Sequence, residues 1–241
     1  MEGGSRLDSR AVIEAVDVHK TYARGRVEVR AVRGVSLRIG RGEMVAIVGP
    51  SGSGKSTLLN LLGALDRPTS GEVLIDGVKL SALDDEGRTR LRRGKIGLVF
   101  QFFNLLPLLD ASENVALPLL LGGMSRAEAE MRAEGLLARV GLGERKNHTP
   151  DELSGGEMQR VAVARALAPK PGVILADEPT GNLDSSSGAG VLELLKTATR
   201  EENCAVIMVT HDPRAAAVAD RVLEFRDGLM VADRRSAASA S

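Results

Sequence analysis

The sequence has few residues of the kinds that build disulfides, metal-thiolate sites and aromatic platforms. Among 241 residues there is one cysteine, Cys204, with no tryptophan, one tyrosine and four phenylalanines. A lone cysteine excludes an internal disulfide and any multi-cysteine zinc or iron–sulfur site, and it fits a reducing compartment. Because aromatic residues make up only 2% of the chain, a stacking platform for single-stranded nucleic acid is not expected.

The sequence also has no excess of either charge and no long hydrophobic run. Lysine plus arginine number 32, as do aspartate plus glutamate, and this balance argues against a nucleic-acid coat or a polybasic membrane anchor. The longest apolar stretch, Val115 to Met124, has about half of the roughly 20 residues that a membrane-spanning helix needs. Residues 1–10 lack a signal-peptide core. We therefore expect no nucleic-acid partner and no membrane span in this chain.

What the sequence does contain is an alternation of strand and helix patterns. At about 150 residues per domain, the length indicates one large domain, or a domain with an inserted subdomain. Residues 11–48 favour short strands with tight turns, ending in a buried parallel strand at Met44–Val48. The segments predicted after it are helix Ser56–Leu65, strand Glu72–Ile75, helix Asp84–Arg93, strand Ile96–Phe100, strand Val173–Ala176, helix Val191–Thr199 and strand Ala205–Thr210. This alternation argues for a parallel α/β core.

The segment from about residue 101 to 168 differs, because it carries helix signals without strand signals. Ser125 and Glu128 form a capping box ahead of an amphipathic run, and Asp110 and Glu113 have the same spacing. We therefore predict one domain over residues 1–241, with a core at about 11–100 and 169–232 and an inserted helical subdomain at about 101–168. Residues 233–241 are small and polar and are expected to be a disordered tail.

Between the strand ending at Val48 and the next helix lies a phosphate-binding loop pattern, a glycine and four residues followed by Gly-Lys-Ser. Its residues are Gly49, Pro50, Ser51, Gly52, Ser53, Gly54, Lys55, Ser56 and Thr57. Glycines let backbone N–H groups converge on phosphate oxygens, the helix N-terminus favours an anion, and Lys55 adds a positive charge. The Ser56 hydroxyl can then bind Mg²⁺. The alternative is a structural turn, but a chance match has odds of about one in a hundred before strand and helix context is required.

Two acidic residues, Asp177 and Glu178, end the predicted strand Val173–Ala176. Beside a phosphate loop, Asp177 is placed to hold Mg²⁺ and Glu178 to orient an attacking water. In the alternative interpretation both are solvent-facing turn residues before Pro179. Their combination with the phosphate loop favours a site for phosphoanhydride hydrolysis.

A third motif, Leu153-Ser154-Gly155-Gly156-Glu157, opens a predicted helix that runs to Ala168. In the simpler interpretation, Ser154 and Glu157 form a capping box. In the functional interpretation, Gly155 and Gly156 also expose backbone N–H groups to a second anion at this helix N-terminus.

Together these motifs resemble the ATP-binding subunit of an ABC transporter. The phosphate loop, Val173–Glu178 and Leu153–Glu157 are similar to that family's Walker A motif, Walker B strand and signature motif. Four further matches follow: Gly181–Asp184 is similar to the D-loop, Gln101 to the Q-loop glutamine, His211 to the switch histidine and Tyr22 to the adenine-stacking aromatic. The resemblance runs in family order from about Ile13 to Gly228.

The resemblance implies a P-loop NTPase core with an N-terminal antiparallel β subdomain and the inserted helical subdomain. It also implies an ATPase that uses ATP and Mg²⁺. Glu178 and His211 would be catalytic, with His211 on the γ-phosphate. The metal would be held by Ser56, Gln101 and Asp177.

The resemblance further implies that two copies enclose two ATP molecules head to tail. The residues of one copy that would then act at the nucleotide of the other are Ser154, Gly155, Gly156, Glu157 and Asp184. The simpler interpretations are a structural histidine for His211, a surface amide for Gln101, a half-buried strand residue for Tyr22 and a helix N-cap for Asp184.

The segments Phe100–Pro107 and Glu113–Pro118 resemble the branch of the family that serves lipoprotein release and macrolide export, with division-linked subunits close by. Because no span is expected here, transport would require separate permease chains, and the apolar residues around Gln101–Leu109 are a candidate docking surface. The resemblance thus implies a subunit held at the cytoplasmic side of the cell membrane, exporting or extracting a lipophilic substrate or lipoprotein. The alternatives are a division-associated ATPase signalling through a membrane partner, a soluble non-transport ABC ATPase, and a regulatory module that binds ATP without turnover.

Overall fold

The computed structural model describes residues 11–25 and 27–236, and the predictions for residues 1–10 and 237–241 lie outside that range. The strands are β1 (Ile13–Arg24), β2 (Val27–Ile39), β3 (Met44–Val48), β4 (Ser70–Ile75), β5 (Val78–Lys79), β6 (Ile96–Phe100), β7 (Val173–Asp177), β8 (Ala205–Val209), β9 (Arg221–Arg226) and β10 (Leu229–Arg235). The helices are α1 (Lys55–Leu62), α2 (Asp85–Lys95), α3 (Ala111–Leu121), α4 (Arg126–Arg139), α5 (Gly155–Leu167), α6 (Ser185–Glu201) and α7 (Pro213–Ala217).

The larger sheet has six strands in the order β10-β9-β3-β8-β7-β6. Its strands pair in parallel, except that β10 is antiparallel to β9. Alternate residues of β3 enter different cores: Met44 and Ala46 pack with α3–α6, and Val45 and Ile47 pack with α1 and the smaller sheet. Burial on both faces explains the uninterrupted apolar run of β3. The predicted parallel α/β core is confirmed.

The smaller sheet is antiparallel, in the order β2-β1-β4-β5. The prediction of short strands before residue 40 is wrong, because β1 and β2 have 12 and 13 residues. Their pairing shifts register between Ala15 and Val18, where Asp17 (φ 47) and Gly34 (φ 70) adopt left-handed backbone conformations. Gly34 therefore accommodates a bulge and bends the strand instead of ending it.

Between residues 101 and 168, all regular structure is helical. Helices α3, α4 and α5 each begin with the capping box expected from Asp110–Glu113, Ser125–Glu128 and Ser154–Glu157. Helix α5 also contacts β6 and α6, so the outer boundary of the helical subdomain near residue 168 stays a prediction. Within the described part of the chain, no helix has the length and apolar character that a membrane crossing requires.

The expected disordered tail is wrong for its first residues. Residues 233–235 complete β10, where Asp233 accepts hydrogen bonds from Nε and an Nη atom of Arg221 at 2.7 and 2.6 Å. The next residue, Ser236, donates its amide to the carbonyl of Asp220 at 2.8 Å. Pairing with β9 supplies the order that the small, polar composition of this segment did not predict.

Candidate active site

Four parallel strands end in one row at the edge of the larger sheet. In the Cα register Phe100 pairs with Asp177, Asp177 with Val209, and Val209 with Ile47. Ligands of parallel α/β sheets bind at the carboxyl ends of the strands. The segments that follow these four ends carry Gln101, Glu178, His211 and the phosphate loop.

The phosphate loop lies against two backbone carbonyls that leave no room for side chains. A Cβ on Gly49 (φ 150) would lie 2.0 Å from the carbonyl oxygen of Phe225, and a Cβ on Gly54 (φ 102) would lie 2.1 Å from that of Ala31. Only glycine fits at both positions. The loop is therefore held between β9 of the larger sheet and β2 of the smaller one, directly before the N-terminus of α1.

Lys55 is the first residue of α1 and is 9% exposed. Its Nζ donates to the carbonyls of Gly49 and Pro50, both at 2.8 Å, so the ammonium group lies inside its own loop. The Ser53 hydroxyl is buried and has no hydrogen-bond partner among the described residues. An ammonium group, an unpaired hydroxyl and the unpaired amides of a helix start together suit a phosphate group.

A pocket of about 740 Å³ opens beside this loop. It is lined by Tyr22 of β1, residues 28–31 and 33 of β2, residues 52 and 54–57 of the phosphate loop and α1, and residues 227 and 228 after β9. The volume is that of a typical small-molecule site. Residues 154–157 are not among the described residues that line it.

Ser56 and Asp177 meet at the same edge. The Ser56 hydroxyl donates to Oδ1 of Asp177 at 3.2 Å. Burial raises the pKa of the Asp177 carboxyl, and the nearby Glu178 raises it further. No group of three or more His, Cys, Asp or Glu side chains suited to a metal occurs within residues 11–25 and 27–236. A metal here would therefore need oxygen ligands from a bound phosphate or water as well.

Glu178, one residue beyond the end of β7, pairs with His211, two residues beyond the end of β8. Nδ1 of His211 lies 2.9 Å from Oε1 of Glu178, and the His211 amide donates to Oε2 at 3.4 Å. Glu178 adopts a left-handed backbone (φ 48), a costly conformation for a residue with a side chain. Its amide donates to Val209 at 2.9 Å and its carbonyl accepts from Gly181 at 3.0 Å. These bonds hold the carboxylate in place.

Gln101 bonds to the D-loop motif. Its Nε2 donates to Oδ1 of Asn182 at 3.2 Å, and Nδ2 of Asn182 donates to the Gln101 carbonyl at 3.0 Å. The described hydrogen bonds do not join Gln101 to Ser56 or Asp177. Of the three predicted metal ligands, Ser56 and Asp177 lie together, whereas Gln101 is bonded to Asn182.

The simpler interpretations of the signature and D-loop motifs are confirmed as local structure. Ser154 and Glu157 form the capping box of α5, and the hydrogen bonds from Ser154 lower the pKa of Glu157. Asp184 is the N-cap of α6, and bonds from Ser186 and Ser187 lower its pKa. These caps fix both motifs at helix starts, and their action on a second chain stays a prediction.

Two residues of α5 that the sequence did not single out connect it to this edge. Gln159 is fully buried and donates to the carbonyls of Phe100 and Pro179 at 3.3 and 2.5 Å. Arg165 donates to the carbonyls of residues 103 and 104 at 2.9 and 2.6 Å, and burial lowers its pKa. The available signal was a polar side chain among the apolar positions of an amphipathic helix.

The strand, glycine loop and helix, with Lys55 at the helix start and two acids on a neighbouring strand, define a phosphate-loop nucleotide-binding domain. A family model described as ABC transporter matches residues 32–181. The lipoprotein-releasing system ATP-binding protein LolD of Xylella fastidiosa is 52% identical over 217 residues, which cover 90% of each chain. The chain therefore belongs to the ABC transporter family and is an ABC ATPase, as the motifs indicated.

Two further relatives refine this membership. The macrolide export ATP-binding/permease protein MacB of Hyphomonas neptunium is 53% identical over 222 residues, which cover 92% of this chain and 34% of MacB. This chain thus spans about a third of that relative. The dimeric ATP-binding cassette MJ0796 of Methanocaldococcus jannaschii, bound to ADP and inorganic phosphate, superimposes with a TM-score of 0.86 at 48% identity and covers 92% of this chain and 98% of that one. The predicted branch and fold are confirmed.

The two signature glycines differ in the space around them, which gives a first prediction. A Cβ on Gly156 would lie 2.7 Å from Oγ and 2.8 Å from Cβ of Ser187 on α6, whereas a Cβ on Gly155 would lie at least 3.6 Å from its neighbours. Because overpacking costs about 1–3 kcal/mol, we expect Gly156→Ala to lower the melting temperature by several degrees.

Gly155→Ala is the matched control and should leave the melting temperature unchanged or slightly higher, since alanine is the better helix former. Thermal unfolding of both variants, followed by circular dichroism without nucleotide, makes the comparison. Equal melting temperatures would show that α5 and α6 are not in close contact at Gly156.

Proposed function

We propose that this ABC ATPase is the energy-supplying subunit of a membrane transport complex, in which ATP binding and hydrolysis between two copies of the chain move separate permease subunits. The observation that carries the proposal is the arrangement at one sheet edge. There the phosphate loop lies beside two side-chain pairs, Ser56–Asp177 and Glu178–His211. The ATP phosphates lie on residues 49–57, and the adenine lies against Tyr22, which lines the same pocket.

The residues at this edge fit Mg²⁺. Ser56 and Asp177 offer a hydroxyl and a carboxylate 3.2 Å apart, and Mg²⁺ is usually bound by one or two carboxylates together with substrate phosphates. When bound, Mg²⁺ supplies neutralisation of the charge on the phosphates. Gln101 would join this set if its side chain exchanged Asn182 for the metal.

Glu178 acts as the general base in the proposed mechanism. Its side chain is 18% exposed and is oriented by His211, so the carboxylate can accept the proton of a water that attacks the γ-phosphate. A carboxylate only accepts hydrogen bonds, so Nδ1 of His211 donates to Glu178, and Nε2 would have to carry a proton as well to donate to the phosphate. Lys55 holds the phosphate oxygens throughout the reaction.

The signature and D-loop motifs complete the site of a second copy. Ser154, Gly155, Gly156 and Glu157 form the N-terminus of α5, where unpaired amides favour an anion. Since these residues do not line the pocket of their own chain, a partner's γ-phosphate is the ligand that we assign to them. Asp184, at the start of α6, crosses the same interface. The dimeric state of the similar cassette MJ0796 supports this arrangement.

The permease docks on apolar surface next to Gln101. Phe102 is 73% and Leu108 is 93% exposed, which excludes a core role for both. A groove of about 440 Å³ lies between α2, β6, α3 and α5, lined mainly by apolar residues and by three arginines. Exposed apolar residues beside a groove suit a helix of a partner chain. This docking holds the chain at the cytoplasmic face of the membrane.

The cargo that we propose is a lipophilic molecule or a lipoprotein. The support is the similarity to LolD and MacB, whose names refer to lipoprotein release and macrolide export. Cargo contacts would lie in the permease, the chain that would carry the cargo across the membrane.

Replacing Glu178 tests the catalytic assignment. Glu178→Gln keeps the side-chain shape and removes the base, so we expect ATP hydrolysis to fall by roughly 10²–10⁴ while ATP still binds. Phosphate release and ATP binding by calorimetry measure the two effects. Glu193→Gln, at an exposed position of α6, should alter neither ATP hydrolysis nor ATP binding. Lys55→Ala should abolish ATP binding. Turnover near the wild-type rate in Glu178→Gln would remove Glu178 from the role of base.

The docking surface is tested by expressing the chain together with a candidate permease, such as the product of a neighbouring gene. Replacing Phe102 and Leu108 together by serine should reduce co-purification of that protein at least about tenfold, since the complex would lose two apolar contacts. ATP hydrolysis of the isolated chain should stay unchanged. Val231→Ser is the control: Val231 is 51% exposed on β10, at the opposite edge of the sheet from β6. If both changes had the same effect, the docking site would have to lie elsewhere.

A further inference from the structure

Lys20, Tyr22 and Asp66 form a connected cluster at the edge of the nucleotide pocket, which we call the tyrosine clamp. The Tyr22 hydroxyl donates to Oδ2 of Asp66 at 2.8 Å, and Nζ of Lys20 donates to Oδ1 of the same carboxylate at 2.7 Å. Lys20 Nζ also donates to the Arg67 carbonyl at 2.7 Å and lies over the Tyr22 ring, 4.8 Å from its centroid. The ring is therefore held both at its hydroxyl and across one face.

The clamp leaves the ring a single face for a ligand. Lys20 and Tyr22 are two residues apart on β1, so their side chains lie on the same face of the strand. The Lys20 ammonium group, with a side chain only 13% exposed, covers one face of the ring. Tyr22 lines the nucleotide pocket, so the other face of its ring is the one available to a ligand there. A flat aromatic ligand can therefore stack on that face alone.

The contacts within the clamp shift the pKa values of Asp66 and Tyr22 in opposite directions. Burial raises the pKa of Asp66, but the hydrogen bonds from Lys20, Tyr22 and the Arg67 amide outweigh it and lower the pKa below its usual value. Burial and the bond to Asp66 raise the pKa of Tyr22. The acid thus stays ionised and the phenol stays a donor at neutral pH, and the bond between them persists.

The clamp is also tied to the phosphate loop through α1. This helix begins at Lys55, and the amides of Leu65 and Asp66 both donate to the carbonyl of Asn60 near its end, at 2.9 and 3.3 Å. The helix that presents the phosphate site at its start therefore positions Asp66 just beyond its end. The spacing between the Tyr22 ring and the phosphate site is set by this one rigid element.

We propose that Asp66 and Lys20 are positioning residues of the nucleotide site, which hold the Tyr22 ring so that the base stacks on its uncovered face while the phosphates bind at α1. The inference rests on the proposed ATP site and extends it to two residues that do not touch the nucleotide. Loss of the clamp therefore weakens binding of the base and leaves binding of the phosphates unchanged.

The test compares ATP with inorganic triphosphate, which has no base. Calorimetry should show that Asp66→Ala weakens ATP binding about three- to tenfold, because part of the stacking free energy of one base is lost. The affinity for triphosphate should stay unchanged. Tyr22→Phe removes the same hydrogen bond and keeps the ring, so it should weaken ATP binding in the same direction even if Asp66→Ala folds poorly. Tyr22→Ala combined with Asp66→Ala should bind ATP no more weakly than Tyr22→Ala alone.

Asp85→Ala is the matched control, because Asp85 pairs with Arg67 next to the clamp but does not contact Tyr22. It should leave both affinities unchanged. Wild-type ATP affinity in Asp66→Ala and Tyr22→Phe, or an equal loss of ATP and triphosphate binding, would overturn the proposal. Failure of the wild-type chain to bind either ligand would instead overturn the proposed ATP site.

Discussion

The phosphate loop is held in shape by contact between its backbone and two neighbouring carbonyl groups, and the rest of the site depends on this contact. Gly49 and Gly54 approach Phe225 and Ala31 so closely that no side chain fits. Because Ala31 belongs to the antiparallel sheet and Phe225 to the parallel sheet, the loop lies where the two sheets meet. In the proposed site, a bound nucleotide would thus be contacted by both sheets, through Tyr22 on one side and the phosphate loop on the other.

Helix α5 connects the site to the proposed docking surface. Its N-terminus carries the signature motif, Gln159 binds the carbonyls of Phe100 and Pro179, and Arg165 binds the carbonyls of residues 103 and 104. One rigid helix therefore contacts the residue before Gln101, the residue after Glu178 and the start of the exposed apolar segment. A change at the nucleotide that moves α5 would be transmitted along this helix to a permease docked at the proposed surface.

Features encoded in short sequence segments could be predicted, and features made by distant segments could not. The phosphate loop and the three capping boxes depend on residues within a few positions of one another, and the strand Ile96–Phe100 has the bounds that its apolar run indicated. The long β1–β2 hairpin and the order of residues 233–235 arise from pairing with other strands. The clamp partner Asp66 lies 44 positions from Tyr22, and no local pattern connects the two.

We propose that each ATP site is completed by the second copy of the chain, and mixing two inactive variants tests this arrangement most directly. Lys55→Ala destroys the phosphate site and Ser154→Arg blocks the signature motif, so each homodimer should be inactive. A head-to-tail heterodimer would keep one intact site, and an equimolar mixture should recover about a quarter of the wild-type ATP hydrolysis. A mixture as inactive as its two components would contradict the account.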